Sequence, residues 1–327
     1  MQPQKQIDSD LKIAVIIPAY NVEKHIEQVI RNIPDFVHFV VVVDDGSDDG
    51  TSEVVKKLKS DHIHLIEHEN NQGVGKAMFS GYELAYELGA DIMVKIDGDD
   101  QMDPTYIHSV LTPIINGKVD YAKGNRFLHA KQLKLMPLIR RIGNLGLSFL
   151  VKLASGYWYI FDPTNGYTAL HREAYRLLNK EQIAWDYFFE TSMLIQLRRI
   201  QAVVKDVPIP ARYGDEESNL SPFKSFFTFT PRLIKHTFQR IMFQYFLYDF
   251  TAVSVYILVG LPSIIFGFIW GLIKWYQSHL TGIVTSTGTT LIAVLPIITG
   301  IQFFTSAISL DISSSPDQAL QKMDWSM

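Results

Sequence analysis

The first hundred residues repeat one scheme: an apolar, largely β-branched run, a polar turn, then a helical pattern. LKIAVIIPAYN (11–21) is an apolar run that breaks at Pro18, and a helical pattern follows over 22–32. HFVVVVDDGSDDGT (38–51) leads through an acidic, glycine-containing turn into SEVVKKLKS. HIHLIEHE (62–69) predicts a third strand, and NNQGVGKAMFSGYELAYELG predicts a loop and a helix. ADIMVKI (90–96) predicts a fourth strand. Near-continuous apolar strands alternating with helices define an α/β fold with a mainly parallel sheet. Ligands of such sheets sit at the carboxyl ends of the strands. Residues 18–21, 44–51 and 97–101 all fall at such ends, so the pattern predicts that they converge on one crevice.

From residue 121 the pattern changes. Residues 1–120 carry a net charge of −11 and residues 121–327 a net of +7. Between Asp120 and Asp162 there is no acid but seven Lys or Arg, and between Glu217 and Asp249 only Lys224, Arg232, Lys235 and Arg240 are charged, among many phenylalanines. Basic, aromatic and apolar residues together suit segments lying on an anionic membrane surface; a basic solvated face is the plainer alternative. Residues 250–273 are 24 residues without a charge, long enough for a hydrocarbon core of roughly 30 Å. Residues 289–310 can span back, with a short outer loop near 276–288 and Trp270, Trp275 and Tyr276 near one interface; two buried soluble helices are the alternative. The predicted organisation is a domain over 1–220, amphipathic helices over 221–248, two transmembrane helices over 249–311 and a tail over 312–327. The basic residues before the first span place the N-terminal domain and the tail in the cytoplasm. This predicts a multi-pass protein of the cytoplasmic (inner) membrane.

Composition removes some chemistry. The chain has no cysteine, which excludes disulfides and thiolate metal sites. The polar N-terminus shows no apolar segment of a signal peptide. GVGKA (73–77) lacks the full P-loop pattern, so a helix N-terminus near a nucleotide or a plain turn is the better reading. His62, His64 and His68 have no tetrahedral-site spacing with other ligands and read as strand and loop residues. Nothing points to nucleic acid.

KIDGDDQMDP (95–104) sets Asp97, Asp99, Asp100 and Asp103 at the mouth of a buried strand. Carboxylates this close repel one another unless a cation joins them. Mg²⁺ or Mn²⁺ takes hard oxygen ligands, typically one or two carboxylates plus substrate phosphates. Alternation along an extended chain would put Asp97, Asp99 and Gln101 on one side, with Asp100 and Asp103 elsewhere. An ordinary acidic turn is the competing reading.

PAYN, VVVDDGSDDGT and KIDGDDQMDP, in this order, resemble the family 2 glycosyltransferases of the GT-A fold over roughly residues 11–220. GNRF (124–127) and DPTNGY (162–167) make the chain most similar to the polyprenyl-phosphate sugar transferases, a group holding dolichyl-phosphate mannose synthase and bacterial undecaprenyl-phosphate glucosyl transferases. Several bacterial members share the layout of a catalytic domain followed by two membrane helices. The resemblance implies that Pro18, Ala19, Tyr20 and Asn21 lie under the nucleoside and that Asp45 contacts it, with Asp44 as the alternative. It places Asp97, Asp99 and Gln101 at a Mg²⁺ or Mn²⁺ ion and the diphosphate. It places Arg126, Arg140 and Asn144 near an acceptor phosphate; Arg141 could replace Arg140. Helix capping is the alternative for Ser47, Asp48, Asp49 and Thr51. Asp162 and Glu190 are candidates for contacts to sugar hydroxyls or a base role, or else are structural acids. The chain departs from the family at Asn219, where a diphosphate-binding lysine is common; Arg212 alone, or Lys224, would take its place.

The resemblance implies transfer of a sugar from a UDP- or GDP-linked donor to a membrane polyprenyl phosphate, undecaprenyl or dolichyl, with inversion. A phosphate nucleophile is already anionic, with a second pKa near ~6, so arginines that position it suffice. Another lipid or glycan acceptor, and a non-enzymatic membrane scaffold that keeps the fold, are the rival readings. IQLRRI (195–200) has Ile200 in place of the tryptophan of processive synthases, and two spans do not build a polymer pore. They do leave room for packing between copies of the chain.

Overall fold

A computed structural model describes residues 11–58, 60–126, 138–163, 165–210 and 222–323, of which 138–144 and 222–227 are described by backbone alone. The chain forms two compact units. The first holds residues up to His236 together with the segment from Pro316, and the second runs from Thr237 to Ser315.

In the first unit the strands are β1 (Ile13–Ala19), β2 (Phe39–Asp44), β3 (Ile63–Glu67), β4 (Ile92–Lys95), β5 (Tyr121–Asn125), β6 (Thr168–His171) and β7 (Val204–Pro208). They form one seven-stranded sheet in the order β3-β2-β1-β4-β6-β5-β7. All pairings are parallel except those of β6, which runs against β4 and β5. The four strands predicted from the sequence are present; β5, β6 and β7 add a second half that the pattern did not predict. Helices α1 (Ile26–Arg31), α2 (Thr51–Lys57) and α4 (Ile107–Ile115) cover one face, over Ile13, Val15, Val40 and Val42. Helices α3 (Val74–Glu87), α5 (Leu138–Ser155), α6 (Arg172–Leu177) and α7 (Phe189–Arg199) cover the other, over Ala14, Ile16, Val41 and Met93. Burial on both faces is why the strands read as unbroken apolar runs.

Residues 316–323, predicted as part of a separate tail, are built into this unit. Gln321 donates its side-chain amide to the carbonyl of Val119 at 2.8 Å and its backbone N–H to Asp120 at 3.4 Å. Leu320 is 2% exposed and packs in the core with Tyr175 and Leu178. Leu320→Ala should therefore cost about 2–4 kcal/mol of stability, read as a lowered denaturation midpoint; an unchanged midpoint would mean that the segment does not contribute to the core.

The boundary between the units falls within α8 (Pro222–Met242). The second unit is a helical pair, α9 (Ala252–Thr281) and α10 (Thr287–Ser313), each long and apolar enough to cross a membrane. Leu258, Phe266, Ile269, Ile298 and Phe304 on them are exposed, which water disfavours and hydrocarbon does not. The predicted outer loop over 276–288 shrinks to residues 282–286, because α9 continues through Trp275 and Tyr276 to a left-handed Gly282. Small residues let the two helices approach closely. A Cβ on Gly267 would lie 2.5 Å from the Ala293 carbonyl oxygen, and one on Gly300 would lie 2.6 Å from that of Gly260. At the foot of the pair, Arg240 forks onto Asp311 at 2.7 and 2.9 Å, and the Tyr245 hydroxyl donates to the same carboxylate.

Candidate active site

The carboxyl ends of β1, β2 and β4 bring the sequence-predicted donor residues together. Ala19 pairs in register with Asp44, and the Asp45 N–H donates to the Ala19 carbonyl at 2.8 Å. The loop after β1 and the acidic turn after β2 are laced into one surface. Asn21 adopts a left-handed φ of 55°, a conformation asparagine tolerates. It donates its N–H to Ser47 at 3.0 Å and accepts from the Asp48 N–H at 2.9 Å. The N–H of Val22 donates to Thr51 at 3.0 Å and that of Glu23 to Asp49 at 3.1 Å. Ser47 and Thr51 thus serve the neighbouring loop, while Asp49 does both: it binds Glu23 and accepts the Thr51 N–H at 3.1 Å at the start of its own helix, the capping role expected of it. Tyr20 stands exposed above this surface.

Asp45 is buried, and its carboxylate is occupied by the protein. It accepts from the N–H groups of Gln72 at 3.0 Å and Gly73 at 2.8 Å, and bonds His68 Nδ1 at 2.6 Å. His68 in turn meets Ser80 at 2.9 Å. Asp44 accepts from the Ser47 N–H at 2.9 Å and from Ser52. The glycines of GVGKA serve close packing. Gly73 has φ of 95°, and a Cβ there would lie 2.4 Å from the Trp185 carbonyl oxygen; the Gly75 N–H donates to that same oxygen at 2.8 Å.

Residues 97–101 form a turn. Asp100 has φ of 59°, and the Gln101 N–H donates to Asp99 Oδ1 at 3.0 Å. Strand alternation therefore does not decide which carboxylates face the site, a correction to the sequence-based expectation. Asp103 caps the next turn, accepting from Thr105 N–H at 3.0 Å, and stands apart from the cluster's chemistry. Asp97 is one-third exposed, and its Oδ1 pairs with Lys95 at 3.0 Å. Lys95 also pairs with Glu190 at 2.9 Å. Burial opposes the Lys95 charge, but Asp97 and Glu190 outweigh it and hold the ammonium above its ordinary pKa. Burial likewise opposes ionisation of Glu190, and Lys95 and Lys123 overcome it, keeping the carboxyl below its ordinary range. Glu190 is thus a half-buried counter-charge to the buried lysines.

The loop 162–167 closes the other side. Asp162 is fully buried and accepts from Arg126 Nε at 2.9 Å and NH2 at 3.2 Å. Both candidates for a base role, Asp162 and Glu190, are therefore committed to cations. Arg126 remains 41% exposed. A Cβ on Gly166 would lie 2.5 Å from Lys95 Nζ and 3.1 Å from Asp97 Oδ2, so the loop lies directly against the D-x-D turn. Arg140, Arg141 and Asn144 all fall in the first two turns of α5, described there by backbone alone. Lys224 opens α8, described there by backbone alone, and Arg212 and Asn219 lie outside the described residues.

The sequence reading missed Lys95 and Lys123 as site residues. Each is a lone cation in a buried strand, and that mismatch was the available signal. It also missed Asp206 on β7, which accepts from Asn125 at 2.6 Å and the Phe161 N–H at 2.7 Å. Burial pushes its carboxyl from 3.8 up to about 6, with these hydrogen bonds pulling the other way. The folded protein then holds a proton that the unfolded chain has lost, so this group's contribution to stability falls as pH rises from about 4 to about 6. Asp206→Asn should raise the melting temperature at about pH 8 and leave it nearly unchanged at about pH 3, below the unfolded-state pKa. Equal shifts at both would contradict a raised pKa.

Among the described residues no group of three or more His, Asp or Glu is preformed for a metal. The Asp97 and Asp99 carboxylates and the Gln101 amide are nonetheless hard oxygen donors, and they fit Mg²⁺ or Mn²⁺ provided that a diphosphate and water complete the shell.

Residues 14–178 match the profile described as glycosyl transferase family 2. A UDP-N-acetylglucosamine–dolichyl-phosphate N-acetylglucosaminyltransferase of Methanococcus voltae is 37% identical over 222 residues, covering 63% of this chain and 88% of that protein. A dolichol-phosphate mannosyltransferase of Pyrococcus furiosus is 25% identical over 268 residues, covering 80% of this chain and 72% of that one. Glucosyl-3-phosphoglycerate synthase from Mycobacterium tuberculosis, solved with Mg²⁺ and UDP, superposes with a TM-score of 0.52 at 20% identity, over 71% of this chain and 80% of that one. The chain belongs to glycosyl transferase family 2, and its catalytic unit has the GT-A-like fold.

Proposed function

We propose that the protein transfers a sugar from a nucleoside-diphosphate sugar to a membrane polyprenyl phosphate. The observation that carries this reading is the juxtaposition of the D-x-D turn with Arg126 across the 162–167 loop, on a fold whose relatives are named as polyprenyl-phosphate sugar transferases. Pro18, Ala19, Tyr20 and Asn21 form the floor for the nucleoside, and Asp45 shapes it by holding residues 72–73. Asp97, Asp99 and Gln101 would hold Mg²⁺ or Mn²⁺. Such an ion, when bound, stabilises charge on the departing diphosphate. Arg212 and Lys224 are the candidate cations for that diphosphate.

On the acceptor side Arg126, held by Asp162, orients an anionic phosphate oxygen toward the anomeric carbon, with Arg140 and Asn144 as further contacts. The phosphate needs no strong base, which agrees with the engagement of Asp162 and Glu190 in ion pairs. Direct attack inverts the anomeric carbon through an oxocarbenium-like transition state. The helical pair would anchor the chain in the bilayer that holds the polyprenyl acceptor. Because the segments on both sides of that pair belong to one compact unit, two crossings return the chain to the side of the catalytic unit. Positive-inside bias makes that side the cytoplasm.

The test is product analysis. Detergent-purified protein is given undecaprenyl phosphate, Mn²⁺ and a panel of UDP- and GDP-sugars, and the lipid phase is examined for a sugar phosphodiester. A lipid-linked sugar of inverted configuration is expected. Retained configuration would contradict direct attack, and sugar found only on a neutral acceptor would move the assignment to another lipid or glycan.

A further inference from the structure

Lys123 lies inside β5, fully buried, where the pattern of a parallel-sheet strand calls for an apolar residue. Register places it beside Thr168 of β6, and Thr168 beside Lys95 of β4. The two lysines therefore occupy one row across three strands, on the face covered by α7. Each reaches a different half of the site. Lys95 contacts Asp97. Lys123 donates its ammonium to the backbone carbonyl of Asn165, within the 162–167 loop.

Asn165 is tied down at both its backbone and its side chain. Its side-chain amide donates to the Gly124 carbonyl at 2.8 Å, and its Oδ1 accepts from the Tyr167 N–H at 3.1 Å. The Gly124 N–H donates to the Tyr167 carbonyl at 2.8 Å. Three residues before Asn165, the same loop supplies Asp162 to Arg126, and one residue after it supplies Gly166 to the Lys95–Asp97 pair. A buried ammonium is costly unless it is paired and hydrogen-bonded, and the Asn165 carbonyl is the hydrogen-bond acceptor found for Lys123.

We infer that Lys123 is a positioning residue: it fixes the 162–167 loop through Asn165 and thereby sets Arg126, through Asp162, at the distance from the D-x-D turn that phosphate attack requires. This rests on the acceptor role proposed for Arg126. The groups facing Lys123 are Glu190 of α7, Asp162 of the loop, Lys95 of β4 and Asp206 of β7. Burial, the largest influence, moves its pKa from 10.5 down to about 8, against the pull of Glu190 and Asp162. The ammonium is therefore lost in the mildly alkaline range.

The experiment compares wild type, Lys123→Met and Lys123→Gln by three readings. Amide hydrogen exchange at Gly124 and Tyr167 reports the loop directly. UDP–Mn²⁺ affinity reports the donor side. KM for undecaprenyl phosphate, measured against pH, reports the acceptor side. Lys123→Met should accelerate exchange at both amides and raise the acceptor KM at least about tenfold, the usual effect of losing a hydrogen bond to a charged group. The UDP–Mn²⁺ affinity should stay within about twofold. Lys123→Gln, which keeps a donor, should recover part of the loss and remains readable should the Met variant fold poorly. The wild-type acceptor KM should climb above about pH 8 and that of Lys123→Met should not. Unchanged exchange and acceptor KM, or an equal loss of UDP affinity, would overturn the inference. A wild type whose turnover ignores lipid phosphate refutes the acceptor reading instead, and exchange alone then decides whether Lys123 fixes the loop.

Discussion

Asp99→Ala should abolish sugar transfer, with a fall on the order of 10³-fold or more, because on the proposed reading it takes away a hard-oxygen ligand for the ion that would support the leaving diphosphate. Asp99 also accepts the Gln101 N–H at 3.0 Å, so the alanine loosens the turn as well. Asp99→Asn separates the two effects. Its amide oxygen still closes the turn, but its charge is gone, so it should be nearly as inactive as the alanine while melting like wild type. Asp103→Ala is the internal comparison. Asp103 lies four residues on and spends its side chain on the N–H and hydroxyl of Thr105. Losing that cap costs about 1 kcal/mol of stability and should leave turnover intact. Steady-state rates and metal-dependent UDP binding for the three variants check this. Substantial activity in a folded Asp99→Asn would refute the metal assignment.

The second large effect is expected at Arg126. Replacing it with alanine would take away the guanidinium proposed to hold the acceptor phosphate and should lower kcat/KM for the lipid phosphate by about 10²-fold, the scale of a charge-assisted hydrogen bond. UDP affinity should barely change. The alanine also strands Asp162, whose side chain is 0% exposed, and an unpaired buried carboxylate is strongly destabilising. Arg126→Ala combined with Asp162→Asn relieves that strain. The double variant should regain most of the lost thermal stability and none of the acceptor affinity. Parallel loss of donor and acceptor affinity in both variants would count against an acceptor role for Arg126.

The donor side was legible because its chemistry sits on its architecture. Strands such as VVVV (40–43) end in residues that no buried strand would carry, so Asp44, Asp45, Asp97 and Asp99 mark the carboxyl edge of the sheet by contrast alone. The second half was less legible. β6, only Thr168–His171 and antiparallel, has too few residues to show a period, and β5 is interrupted by Lys123 and Gly124. Lys95 hid inside an apolar run because a strand buried on both faces has no alternation to violate. The Asp45–His68 contact joins residues 23 apart in sequence, and nothing local announces it. Asp162 stood out in the sequence as a candidate, yet its partner could not be read there, and the ion pair with Arg126 engages the carboxylate that a base role would need. The two long apolar helices were visible from length and composition, whereas the return of Leu320 to the core of the first unit depends on a short segment without a pattern of its own.

In the proposed reaction one site joins a metal-bound nucleotide donor to a lipid phosphate. The most direct test is nucleoside diphosphate release by the full-length protein in detergent, scored with Mg²⁺ or Mn²⁺ and undecaprenyl phosphate each present or withheld. Release only when both are present, with one sugar nucleotide of the panel, is the predicted result. Release that proceeds equally well without the lipid phosphate, or in the presence of a metal chelator, would contradict it.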